Sequence, residues 1–207
     1  KPGLPPPGYL WRKAEIPMNK AFRTAGLVRG KHPYVLIVDD IQKDDQPRDY
    51  SWGLTLADDV ELSPASEKMD VILGENASTP DEKLVDENEI PNPRHDRHLL
   101  VRVLEGDGVN ADQPGQIETV TDQNGTMKPV SIPKLCIHAH SSDPRFKMLL
   151  VPFVGDQPLP TTAWNADKTV LTIKWSDQSD TVTFSSANGG RSGIAVERDG
   201  QTMAIVK

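Results

Sequence analysis

Apolar and polar positions along this chain fall into short blocks whose rhythm is that of strands. In Gly26–Asp45 a basic turn (Arg29, Gly30, Lys31, His32, Pro33) feeds a continuous apolar run, Tyr34–Val38, that ends in Asp39-Asp40. β-Branched and aromatic residues over so short a run, punctuated by Gly and Pro, predict a buried strand rather than a helix. A period of two is clear in Tyr50, Trp52, Leu54 and Leu56, which places all four on one face. Further strands are predicted at Ala21–Arg29, Tyr34–Gln42, Asp49–Leu56, Asp59–Leu62, Met69–Leu73, His98–Leu104, Ile117–Thr121, Lys134–His140 and Phe146–Phe153. After a Pro-rich link (Pro158, Pro160) come Val170–Trp175, Thr181–Phe184, Gly193–Glu197 and Thr202–Val206. Asn124-Gly125 and Arg198-Asp199-Gly200-Gln201 are hairpin signals. No helical periodicity persists beyond about two turns. About a dozen short strands without helices between them require sheet-on-sheet packing, so the expected fold is all-β, an antiparallel β-sandwich. No fixed-period repeat points to a propeller or solenoid.

Two polar stretches interrupt the pattern, near residues 75–97 and 106–130, and read as long excursions. Residues 1–20 are Pro-rich and irregular, a lead-in to a sandwich domain over 21–207 that looks like a segment cut from a longer protein. Composition agrees with strands and turns: 18 Pro and 15 Gly in 207 residues. The formal net charge of -7, with no dense Lys/Arg tract, argues against nucleic acid as a partner. No apolar run approaches the roughly 18 residues of a membrane span. A single cysteine, Cys136, excludes an internal disulfide, so the fold rests on its core.

Candidate chemistry is sparse. Cys136-Ile-His138-Ala-His140 places a thiol and two imidazoles on one face of a strand, and His138 and His140 could supply two nitrogens to zinc. The plainer alternative is an exposed face that carries histidines, with Cys136 as a small core residue. Arg94-His95-Asp96-Arg97-His98 is a basic patch in an acidic chain. Arg94, His95 and Arg97 are candidates to meet a carboxylate or sulfate on a glycan, or else a solvated loop before the next strand. Asp39 and Asp40 point to opposite faces as strand neighbours, a poor geometry for a carboxylate pair and for calcium. One is expected to bond turn amides and the other to be solvated. Trp52 and Trp175 lie on predicted strands, Trp164 in a link and Trp11 in the lead-in. Such aromatics stack on sugars or, more commonly, pack a core. No phosphate loop or nucleophile elbow is present.

The stretch Ala21–Asp45 followed by Asp49-Tyr-Ser-Trp resembles the C-terminal β-sandwich of the heparinase II/III-like polysaccharide lyases. Arg97-His-Leu-Leu-Val-Arg-Val-Leu and Lys147-Met-Leu-Leu-Val-Pro-Phe resemble later strands of the same domain. The likeness spans residues 20–155 and is one of strand pattern rather than of a catalytic signature. It implies a periplasmic or secreted enzyme of Gram-negative type that β-eliminates uronic-acid polysaccharide, with an anionic polysaccharide as partner. The Tyr and His groups of that reaction would sit mainly on an N-terminal α/α toroid outside this chain, so the chain by itself is expected to be catalytically silent. Some members carry a structural zinc, but the histidine expected near Thr55 is missing from Trp52-Gly-Leu-Thr-Leu. A different class remains open: a stand-alone glycan-binding or adhesion sandwich. So does a metal-dependent enzyme centred on His138 and His140.

Overall fold

The computed structural model describes residues 18–63, 65, 67–75, 96–122, 130–186 and 190–206. Every regular element among them is a β-strand, and there are 14, numbered here in chain order. A central six-stranded sheet takes β1 (Lys20–Val28), β2 (Tyr34–Gln42), β9 (Phe146–Val154), β6 (Arg97–Glu105), β5 (Asp70–Glu75) and β4 (Val60–Ser63) in that spatial order. A small sheet of three strands runs β3 (Arg48–Thr55), β8 (Val130–Ser141), β7 (Gln116–Asp122). The last sheet is a five-stranded meander: β10 (Thr161–Trp164), β11 (Val170–Lys174), β12 (Ser179–Ser186), β13 (Ser192–Arg198) and β14 (Gln201–Val206). Neighbouring strands pair antiparallel throughout. The fold is the expected antiparallel sandwich, with a third layer on the other face of the central sheet.

That third layer explains why some strands are apolar without a break. On β2, Tyr34, Leu36 and Val38 pack with Leu171, Ile173, Val182, Ile194 and Val196 of the meander. Val35 and Ile37 turn the other way, toward Trp52, Leu135 and Ile137 of the small sheet. β9 divides likewise, Leu149 and Val151 into the first core, Phe146, Met148 and Leu150 into the second. A strand covered on both faces needs apolar residues at every position. The meander has one covered face, and β12 accordingly alternates: Asp180, Val182 and Phe184 are buried, Thr181, Thr183 and Ser185 exposed.

The expected elements lie within one to a few residues of those observed, and one strand was not foreseen. β10, placed in the Pro-rich link by its sequence, is only 4 residues long and sits at a sheet edge. It is held by Arg102, which pairs with Asp70 through two 2.7 Å bonds and donates from Nη1 to the Pro160 carbonyl at 2.7 Å. The expected face of β3 forms as read, with Trp52 in the second core and Tyr50, Leu54 and Leu56 packed against it. The Arg198–Gln201 hairpin also forms, with Asp199 and Gly200 at φ 50° and 74°, the left-handed pair of a two-residue turn. Residues 76–95 of the first polar excursion and 123–129 of the second, with the Asn124-Gly125 signal, lie outside the described residues. The described part of the second excursion contains β7, an edge strand paired along β8.

Candidate functional site

The outer face of the small sheet gathers the residues with most chemical potential. β8 is its middle strand, and Leu135, Ile137 and Ala139 point into the core. Alternation therefore turns Cys136, His138 and His140 outward together. Cys136 lies between Gly53 of β3 and Gln116 of β7, while His138 and His140 lie opposite Ser51 and Asp49. The two imidazoles share a face but take different partners. His140 Nδ1 lies 2.7 Å from Asp49 Oδ1, and His138 Nε2 lies 2.5 Å from Glu118 Oε1. Glu118 also accepts from Gln116 Nε2 at 2.7 Å.

Glu118, Cys136 and His138 form the one group of three or more potential metal ligands among the described residues, their ligand atoms all within 4.8 Å of one another. Glu118 is opposite Lys134 in the ladder, so its bond to His138 spans the position of Cys136 between them. This accounts for a thiol on an outward face that is only 7 % exposed. Burial pushes the Cys136 thiol up, and the neighbouring Glu118 charge adds to it. Hydrogen bonds from Gln116 and then His138 pull the Glu118 carboxyl down. A protonated, covered thiol is a poor nucleophile, and it would ligate a cation only by giving up its proton on binding. Sequence periodicity brings Cys136 and His138 together. It does not reveal Glu118, whose place depends on the register between β7 and β8.

Of the basic patch, Arg94 and His95 lie outside the described residues. Arg97 opens β6, exposed and opposite Val154. The tryptophans within the described residues are packed rather than presented. Trp52 is 2 % exposed in the core, and Trp175 stacks on His32 with centroids 5.0 Å apart. Trp164 leans on Phe184 at 5.3 Å and donates Nε1 to the Leu104 carbonyl at 3.2 Å.

The Gly26–Asp45 run is also committed to structure. Its basic turn grips the loop between β11 and β12: Lys31 and His32 both engage Asp177, and Gln178 bonds the His32 backbone N–H and carbonyl, each at 3.2 Å. Beneath it lies a charged network that sequence reasoning missed. Fully buried Asp180 accepts from Tyr34 Oη at 2.8 Å, from Arg198 Nε at 2.6 Å and Nη2 at 2.7 Å, and from Gln178 at 3.2 Å. Burial and the bond to Asp180 push the Tyr34 phenol up, which holds it protonated. The only hint in the sequence was a charge at an inward position of alternating β12. Asp39 and Asp40 do point to opposite faces. Asp40 accepts from Ser192 N at 2.6 Å and Ser192 Oγ at 2.8 Å, tying β2 to β13. One of the pair was expected to be solvated, but Asp39 is bound by Arg23 through bonds of 2.7 and 2.6 Å.

The family-type zinc does not fit at β3. Thr55 ends that strand exposed, and its cross-strand partner is Lys134, a cation where a ligand would be needed. Among the described residues no helix is long and apolar enough to cross a membrane. Comparison with protein-family profiles, with curated proteins and with solved structures finds no match to this chain.

Proposed function

We propose that this chain is the non-catalytic β-sandwich of a heparinase II/III-like polysaccharide lyase, supporting a separate toroid domain that β-eliminates uronic-acid polysaccharide in the periplasm or outside the cell. The observation that carries this reading is the fate of the ionisable groups in the run bearing the resemblance. Asp39 is held by Arg23, Asp40 by Ser192, and Lys31 and His32 by Asp177. A general base, or a group that neutralises a substrate carboxylate, must be within hydrogen-bond reach of the sugar. Groups engaged this way hold neighbouring strands or layers together instead. Arg48 and Arg102 likewise carry carboxylate partners, so their capacity to grip an anionic glycan is already used. Contact with polysaccharide by this chain would then fall to groups outside that run, Arg97 at the exposed start of β6 among them, with Arg94 and His95 as candidates from the sequence alone.

Calorimetric titration of the purified chain with uronate oligosaccharides, together with an assay for unsaturated uronate ends, tests the proposal. The expected result is no product and binding weaker than about 1 mM, or about 4 kcal/mol. Micromolar binding without product would replace it with a stand-alone glycan-binding sandwich. Product would place a catalytic set in this chain.

A further inference from the structure

We propose that Glu118, Cys136 and His138 form a binding site for a thiolate-preferring divalent cation, zinc by the chemistry of its donors, on the outer face of the small sheet. The donors are one sulfur, one imidazole nitrogen and one carboxylate oxygen, brought within 4.8 Å of one another by two paired strands. Zinc bonds to such atoms are about 2.0–2.3 Å long, and tetrahedral angles then set ligand atoms roughly 3.3–3.8 Å apart. The 2.5 Å contact between Glu118 and His138 must open by about 1 Å, and the separations from sulfur, none above 4.8 Å, must settle in that range. Both side chains are free to make that opening, being 36 % and 51 % exposed.

Three features favour a cation in this arch over a simple surface ion pair. The Glu118–His138 bridge spans the Cys136 position, so an ion at its centre would sit above sulfur and between the other two donors. The donor set carries two negative charges once the thiol proton leaves to solvent, which balances a divalent ion with neutral imidazole as third ligand. Gln116 already donates to Glu118 at 2.7 Å, the kind of outer partner that fixes a ligating carboxylate. Sulfur and nitrogen donors disfavour magnesium and calcium, which take oxygen ligands in larger number. Three protein ligands leave a fourth position for water or an external group. His140 belongs to a separate pair with Asp49 and is excluded from the ligand set. The site stands independently of the lyase reading.

Cobalt(II) titration of the untagged full chain, read by absorption, tests the assignment. Cys136 is the only cysteine, so a thiolate-to-cobalt charge-transfer band in the near ultraviolet can arise only from it. The expected result is that band at one cobalt per chain, with visible bands of tetrahedral cobalt, both abolished by one equivalent of zinc. Cys136→Ser should remove the band, and Glu118→Gln and His138→Gln should each weaken cobalt binding at least about tenfold. His140→Gln should leave it within about twofold. Absence of a charge-transfer band at millimolar cobalt overturns the proposal, as does a loss in His140→Gln equal to that in His138→Gln. Circular dichroism checks that each variant folds. If Cys136→Ser does not, Glu118→Gln decides, and unchanged affinity there overturns the site.

Discussion

Asp180 is the residue on which the joint between the central sheet and the meander turns. A fully buried carboxylate is tolerable only because Tyr34, Gln178 and Arg198 converge on it. Replacing Asp180 by Ala leaves the Arg198 guanidinium, itself 16 % exposed, without its counter-charge. The expected loss is about 3–5 kcal/mol of unfolding free energy, measurable by urea denaturation. Nearby Asp177 behaves differently because it is solvent-facing. Hydrogen bonds from Lys31 and then His32 lower its carboxyl from 3.8 to about 2. A depressed carboxyl contributes stability that is in full force above its unfolded value and is lost as pH falls through the folded one. The grip of the basic turn on the β11–β12 loop should therefore weaken between about pH 4 and pH 2. Denaturation midpoints followed down that range should fall less steeply in Asp177→Asn than in the unaltered chain.

At the scale of elements, the three layers make a distinction between strands that mutation can read. On β2 both alternating sets are packed, so Leu36→Ala should cost about 2–5 kcal/mol and Ile37→Ala, half buried toward the small sheet, more than about 1 kcal/mol. On β12 only one set is packed, and exposed Thr183→Ala should stay within about 0.5 kcal/mol. Chemical denaturation of the three variants compares them directly. The same contrast marks what was legible beforehand. Tyr34–Val38 and Val182–Phe184 announce strands through β-branched and aromatic residues, and their different rhythms record two covered faces and one. β10 was not legible, because its 4 residues follow a proline and have no room for a period to show. For the candidate cation site, Cys136 and His138 could be read from alternation along one strand. Glu118 could not, because a one-residue slip of β7 against β8 would turn it into the core. The register that places Ile117 opposite Leu135 and Glu118 opposite Lys134 is a property of the strand pairing, not of any local pattern.

For the whole molecule, the chain path explains why the central sheet binds everything else together. β1 and β2 enter it, β3 leaves for the small sheet, β4, β5 and β6 come back at the far side, and after β7 and β8 have completed the small sheet β9 returns to lie between β2 and β6. Residues distant in sequence thus form its middle, with Leu36 beside Leu149 and Leu100 beside Val151. The meander closes one face and the small sheet the other, and layer-spanning bonds such as those of Asp40 and Asp180 fix the placement of the meander. Such a body suits a supporting role, because Asp39, Asp40, Asp70, Arg102, Asp180 and Arg198 are engaged in its own construction and its chemically richest face, at Cys136, points away from both cores. Under the proposed function, that support would serve a catalytic toroid joined to the same polypeptide. The most direct test is the intact mass and far-ultraviolet circular dichroism of the native gene product. The account predicts a polypeptide well beyond 207 residues with strong helical dichroism added to the β signal. A product of 207 residues, with a β spectrum alone, would contradict it.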